Sequence, residues 1–191
     1  MTNVKKKKKE DSYDDCWMYI LLLTTLAILL ESAKSYTFIF KGVSLTYSLF
    51  LLPLVFFIAN YISKKYDYKK AVAAISISGV SFVLFTAIMS FALGERLILS
   101  NVSGEFCAYV VSQFLNLTLY VFISNNTKSP YLLIFLNYLF SLIVFYMVYT
   151  LIYLNIILFD TYWLGYFTTL GIQFLICLPI AYLDKKTTKK K

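Results

Sequence analysis

Six long apolar stretches, separated by short polar segments, divide the chain. They cover residues 17–33, 44–62, 71–93, 104–124, 131–154 and 161–183. Because a helix of about twenty residues is needed to cross the hydrocarbon core of a membrane, each stretch predicts one transmembrane helix. The short connections predict that consecutive helices pack as antiparallel neighbours. We therefore expect an all-α polytopic membrane bundle of six transmembrane helices at 17–183, between a basic/acidic tail at 1–16 and a basic tail at 184–191.

The distribution of basic residues predicts which way the bundle faces. Of the 18 Lys and Arg residues, 15 fall in the two tails and in the second and fourth connections, and the other three are Lys34, Lys41 and Arg96. Positive charge in short loops stays on the cytoplasmic side of a membrane. Both termini are therefore predicted to be cytoplasmic, which agrees with an even number of spans. Residue usage rich in Lys, Ile, Phe, Tyr and Asn suits a low-GC bacterium, so we expect a multi-pass protein of the bacterial inner membrane.

The first apolar stretch allows a second interpretation. Lys5–Lys9, followed by a short apolar run at Trp17–Leu30, is also the pattern of a signal peptide. However, several acidic residues separate the basic cluster from the apolar run, and Glu31-Ser32-Ala33 is a poor cleavage site. A retained helix is the favoured interpretation.

Composition excludes several classes of protein. With 60% hydrophobic and 15% charged residues, the chain has no room for a separate soluble domain. The net charge of +8 does not indicate nucleic acid, because the lysines are dispersed at membrane boundaries and are expected to contact lipid head groups. We therefore expect membrane lipids as partners and no nucleic acid, while the oligomeric state is left open.

The residues needed for common catalytic and metal sites are scarce. The chain has no histidine, and Cys16, Cys107 and Cys177 form no CxxC pair. This argues against Cys/His metal sites and against Ser-His or Cys-His catalytic pairs. We expect no metal, no cofactor and no enzymatic activity.

Polar residues at helical spacing mark the fourth stretch. One helical face carries Glu105, Tyr109, Ser112, Asn116 and Tyr120, with Gln113 beside it. Such groups must face protein or water, because lipid offers them no hydrogen-bonding partner. The face therefore predicts either a solute-binding site or interhelical bonds that hold the bundle together. Glu105 could recognise a solute, carry a coupling proton, or lie at the outer surface as a helix-start carboxylate.

Three other stretches carry weaker polar rows. The rows are Ser44, Ser48 and Asn60 in the second, Asn137 and Ser141 in the fifth, and Gly165, Thr169, Gln173 and Cys177 in the sixth. Four rows on four helices predict a central polar cavity. Pro53 and Pro179 are expected to kink their helices and free a backbone carbonyl. A face of small residues, Ala71, Ala74, Ser78 and Ser81, predicts close packing of the third helix.

The side chains of the predicted cavity favour one kind of solute. Amides offer a donor beside an acceptor, a carboxylate accepts two parallel bonds, and aromatic rings are abundant. This combination fits a flat heteroaromatic molecule such as a purine-like base, as well as other small polar solutes. The candidate substrate-binding residues are Asn60, Glu105, Tyr109, Gln113, Asn116, Asn137, Ser141 and Gln173.

Two segments resemble a known family. LPLVFFIANYISKKYDYKKA, from Leu52, is similar to a Pro-Leu-x-Phe run followed by Asp-Leu-Ile-x-Glu-x-Tyr-Gly-Lys-Lys-x-Ala. GEFCAYVVSQFLNLTLYVF, from Gly104, is similar to Ala-Ser-x-x-Ala-Tyr-x-x-x-Gln-x-x-Asp-x-x-x-Phe. Both patterns belong to the queuosine-precursor transporter family, also called vitamin-uptake-like transporters. Asn60 and Asn116 stand where that family has Asp, and Glu105 stands where it has Ser.

The resemblance implies a function. It implies an inner-membrane importer of a queuosine precursor, a 7-deazaguanine-type base, that serves salvage for transfer-RNA modification. The alternative is a non-transporting membrane subunit or assembly factor whose polar rows act as interhelical glue. The departures from the family acids fit this alternative.

Overall fold

A computed structural model shows six long helices and one small β-hairpin. It describes residues 2–40, 42–92, 99–126, 131–153 and 159–188. The helices are α1 Thr2–Ser32, α2 Ser48–Lys65, α3 Tyr68–Ala92, α4 Leu99–Asn126, α5 Tyr131–Tyr153 and α6 Phe159–Thr188. A 3₁₀ turn at Ala33–Ser35 and the strands β1 Thr37–Phe40 and β2 Val43–Thr46 lie between α1 and α2.

Each of the six helices contributes a segment that is long and apolar enough to cross a membrane. These segments are Cys16–Ser35, Ser48–Lys65, Tyr68–Ala92, Gly104–Asn125, Tyr131–Leu151 and Phe167–Lys186. The predicted all-α bundle of six membrane-spanning helices is confirmed. The chain is thus a multi-pass membrane protein by the length and composition of its helices, and its orientation stays a prediction.

The helices continue beyond the apolar spans into the two predicted tails. α1 begins at Thr2, within the predicted tail at 1–16, while its apolar span begins at Cys16. α6 continues to Thr188, so Asp184, assigned by sequence to the C-terminal tail, lies within the helix. Hydropathy falls where the lysines begin, but lysine is a good helix former, so the helical backbone continues beyond the apolar run.

The β-hairpin was not predicted. The second span was expected to begin at residue 44, whereas Val43–Thr46 pairs antiparallel with Thr37–Phe40. β-Branched and aromatic residues dominate both strands and favour extended backbone. Gly42 has a φ of +83°, which a glycine adopts without steric cost and which the tight turn requires.

Small residues bring α3 close to its neighbours, as predicted. Ala71, Ala74 and Ser78 are buried. At Gly79 an added Cβ would lie 3.2 Å from the Phe106 ring of α4. Close backbone approach of this kind is a common way for membrane helices to pack.

The bundle has two distinct ends. The hairpin end contains the hairpin, the C-terminal ends of α1 and α5 and the N-terminal ends of α2, α4 and α6. The termini end contains the opposite ends of these helices. Large apolar side chains on the outer surface, including Leu21, Ile88, Phe122 and Leu151, are exposed and suit contact with lipid.

Candidate functional site

A cavity of about 360 Å³ lies at the hairpin end. Its walls come from the hairpin and from every helix except α3. It is lined by Leu30, Lys34, Ser44, Leu45, Thr46, Ser48, Leu52, Glu105, Phe145, Tyr146, Tyr149, Gly165 and Thr169. Hydroxyl groups, aromatic rings and one carboxylate–ammonium pair therefore meet in one space.

An ion triad forms one side of this cavity. The Lys34 Nζ lies 2.6 Å from Glu31 Oε2 and 2.7 Å from Glu105 Oε2. The same ammonium lies 4.9 Å from the centre of the Phe82 ring, within range of a cation–π contact. Spacing of three residues at the end of α1 brings Lys34 beside Glu31. With both carboxyl groups ionised, the triad carries a net charge of −1.

Tyr109 lies one turn beyond Glu105 but bonds to α3. Its hydroxyl is 2.8 Å from the Ser78 Oγ, and its ring stacks on Phe82 with centroids 5.7 Å apart. Tyr109 is fully buried. In this structure it is a contact between α3 and α4.

Deeper in the bundle, three asparagines form an amide cluster. Asn116 Nδ2 donates to Asn60 Oδ1 at 2.9 Å. Asn137 Nδ2 donates to Asn116 Oδ1 at 2.9 Å and to its backbone oxygen at 3.1 Å. Ser141 donates to the Asn137 carbonyl of its own helix at 2.8 Å. The cluster ties α2, α4 and α5 together.

A second buried polar group, built around one carboxylate, lies next to this cluster at the termini end. The Asp184 carboxylate, 1% exposed, accepts one hydrogen bond from Tyr120 and one from Tyr138, each at 2.8 Å. Lys64 Nζ lies 3.7 Å from Asp184 Oδ1 and donates to its backbone oxygen at 3.1 Å. Asn60 donates to the Tyr138 hydroxyl at 3.3 Å, which joins the two groups. We call Lys64, Tyr120, Tyr138 and Asp184 the Asp184 node.

Two buried glutamines lie outside the amide cluster, and they share with Asn137 Oδ1 an incomplete set of hydrogen bonds. Gln173 Nε2 donates to the Leu49 carbonyl at 3.1 Å. Leu49 is four residues before Pro53, which has no N–H to offer that carbonyl, so Gln173 supplies the missing donor. The Gln173 Oε1 and both polar side-chain atoms of Gln113 have no hydrogen-bond partner among the described residues.

The structure separates the eight predicted site residues instead of gathering them around one central cavity. The polar rows divide by depth. Their outer members, including Ser44, Ser48, Glu105 and Thr169, line the cavity. Deeper members, including Asn60, Asn116 and Asn137, bond to each other. Tyr109 and Gln173 bond to neighbouring helices, and Ser141 bonds to a carbonyl of its own helix. Gln113 bonds to no described residue.

The sequence interpretation missed Lys34 and the Asp184 node as site elements. Lys34 was assigned to a loop, although its spacing from Glu31 is that of a helical ion pair. Asp184 is the sole acid in the basic C-terminal segment, and this isolation was the available signal. Tyr138 follows directly after a predicted site residue, but nothing in the apolar run around it distinguishes it.

Comparison of the chain with protein-family models, with curated proteins and with solved structures gives no match. The resemblance to queuosine-precursor transporters therefore rests on the two quoted segments, and a function has to be argued from the side chains.

Proposed function

We propose that the chain is a membrane transporter that takes up a small polar solute through the cavity at the hairpin end. The cavity itself carries the proposal. Helices held together merely by polar contacts do not require an open cavity of about 360 Å³ that is lined by charged groups and hydroxyls. Such a space is within the range of ligand pockets in proteins.

The two ends of the bundle support a transport cycle. Polar contacts of the amide cluster and the Asp184 node close the termini end across α2, α4, α5 and α6. The cavity lies at the opposite end. A bundle that is closed at one end and hollow at the other has the form expected of one state of a transporter that exposes its site alternately to each side.

Residues at the cavity suit a planar solute that forms hydrogen bonds. Ser48 and Thr169 offer hydroxyl groups, and Tyr146 and Tyr149 offer ring faces. A 7-deazaguanine-type base, suggested by the sequence resemblance, is the first solute to test. In this proposal the chain lies in a bacterial inner membrane with both termini in the cytoplasm, so the cavity faces outward. It requires no cofactor.

The test is uptake of labelled base by cells that lack their own precursor synthesis and salvage, with queuosine in transfer RNA as the readout. Thr169→Trp fills the cavity and is expected to reduce uptake at least about tenfold, as is typical when a binding site is blocked. Leu175→Trp changes the outer face of the same helix and is expected to leave uptake unchanged. Equal uptake by the parent and Thr169→Trp would contradict the proposal.

A non-transporting membrane subunit is the second candidate, and the amide cluster favours it. Asn116 bonds to both Asn60 and Asn137, so most of the amide groups of this cluster already have protein partners, although Asn137 Oδ1 has none among the described residues. This candidate predicts no uptake by the purified chain in lipid vesicles for any labelled base. It also predicts that a second membrane protein co-purifies in fixed proportion.

A further inference from the structure

The charge of the cavity wall is unbalanced. Lys34 is shared between Glu31 and Glu105, with oxygens at 2.6 and 2.7 Å from one nitrogen. The side chains of Glu31 and Glu105 are 16% and 14% exposed, so water screens them only in part. Among the described lining residues, Lys34 and Glu105 are the ones that carry formal charges. With both carboxylates ionised, one negative charge of the triad has no second counterion among the residues that the structure describes.

The remaining walls suit a cation better than an anion. Phe145, Tyr146 and Tyr149 present aromatic rings, whose faces attract positive charge. Lys34 is already held by two carboxylates, so an anionic solute would meet Glu105 without a spare ammonium to balance it. A phosphate or carboxylate solute is therefore disfavoured.

We propose that the cavity selects a small organic cation, namely an aromatic solute with one protonated amine or amidine group. This inference rests on the proposed function and names the charge class of its solute. The cationic N–H groups bond to Glu105, and the aromatic plane packs against the tyrosines. Lys34 acts as an internal cation that occupies Glu105 in the empty site and moves aside towards Glu31 when the solute binds.

Thiol-reactive methanethiosulfonates of matched size and opposite charge test the charge selectivity without knowledge of the natural solute. A cysteine is placed at the lining position with Ser48→Cys, in a full-length chain that also carries Cys107→Ala. Buried Cys16 and Cys177 are retained, and the chain without Ser48→Cys supplies the background rate. Rates with trimethylammonioethyl and sulfonatoethyl reagents are measured on purified protein. Ile39→Cys, exposed at the same end but outside the cavity, is the matched reference.

The ratio of cationic to anionic rates is expected to be at least about tenfold higher at Ser48→Cys than at Ile39→Cys, as in clefts lined by one sign of charge. Glu105→Gln should remove this preference, because the triad becomes neutral. Lys34→Gln should increase it further, because both carboxylates then lack their cation. The two variants are expected to shift the ratio in opposite directions, so together they remain informative even if one is less stable.

Two outcomes would overturn the inference in different ways. A ratio at Ser48→Cys no higher than at Ile39→Cys contradicts a cationic solute and leaves the cavity as a solute site. If neither reagent modifies Ser48→Cys while Ile39→Cys reacts, the cavity is closed to solutes. That result removes the proposed function and the charge selectivity with it.

Discussion

Gln113 and Asn116 lie three residues apart on α4 and are both fully buried, yet their hydrogen bonding differs completely. Asn116 bonds to Asn60 and Asn137, whereas Gln113 bonds to no described residue. Burying an amide without partners costs about 1–3 kcal/mol. A contribution to stability therefore explains why an amide is buried at position 116, and it does not explain the buried amide of Gln113.

Leucine substitutions separate these two residues. Asn116→Leu is expected to lower the free energy of unfolding by about 1–2 kcal/mol, because Asn60 and Asn137 lose their shared partner. Gln113→Leu is expected to leave it unchanged within about 0.5 kcal/mol or to raise it, because an unpaired amide is removed. Denaturant unfolding of the purified variants in detergent micelles measures both effects. A larger loss for Gln113→Leu than for Asn116→Leu would show that Gln113 has a structural partner.

The sequence predicted the burial of individual polar residues better than their partners. Helical spacing on α4 was enough to turn Tyr109, Gln113 and Asn116 inward, and all three are fully buried. Spacing says nothing about which residue of another helix lies opposite, because helix rotation and depth are set by packing. For this reason Glu105 could not be paired with Lys34 in advance.

Among the elements, α2 and α6 are connected by a hydrogen bond whose acceptor is left free by a proline. Pro53 leaves the Leu49 carbonyl without its helical donor, and Gln173 of α6 donates to it instead. The bond ties the first turn of α2 to the helix that also carries Thr169 and Asp184.

Restoring the missing N–H should make Gln173 dispensable for stability. Gln173→Leu alone is expected to cost about 1 kcal/mol, because the Leu49 carbonyl loses its donor. With Pro53→Ala in the same chain, the cost of Gln173→Leu should fall towards zero, because the introduced alanine has a backbone N–H that donates to this carbonyl. A double-mutant cycle of unfolding free energies measures the difference. Equal costs in both backgrounds would mean that the bond contributes nothing.

Hydropathy predicted the number and type of the long elements and failed at their ends. The run from residue 44 onward is apolar enough to be counted with the second span, although Val43–Thr46 is a strand. Apolar character is shared by strands and membrane helices, and the decisive local signal was Gly42 between two β-rich quartets. The small-residue face of α3 was recognised because close packing depends on residue size alone.

For the whole molecule, the Asp184 node brings the ends of four helices together at a place where the chain is otherwise strongly basic. Lys64 of α2 and Tyr120 and Tyr138 of α4 and α5 all contact one carboxylate of α6. A buried charge with several partners is sensitive to the loss of any one of them.

Asp184→Asn should therefore destabilise the whole bundle. We expect a loss of about 2 kcal/mol or more in the free energy of unfolding, below the value for a fully buried pair because Lys64 is 14% exposed. Asp67→Asn, at an exposed position of the same end, is the control and should have no measurable effect. Thermal unfolding of the purified proteins, followed by circular dichroism, compares them. Similar unfolding curves for the two variants would argue against a structural node.

The orientation of the bundle is testable independently. Because 15 of the 18 basic residues belong to the termini end, tags at both termini are expected to be protected from protease in sealed spheroplasts. The same tags should be cleaved in inside-out vesicles. Cleavage of either tag in intact spheroplasts would contradict the cytoplasmic assignment of the termini. The cavity would then face the cytoplasm.

The Asp184 node also has a consequence for biosynthesis. Its lysine and two tyrosines emerge from the ribosome before α6 does, because α6 follows α2, α4 and α5 along the chain. Until α6 arrives, the three residues have no Asp184 carboxylate to share. We therefore expect the arrival of α6 to stabilise the packing of the earlier helices. A chain released before residue 184 should be recognised by membrane proteases and degraded faster than the full-length protein.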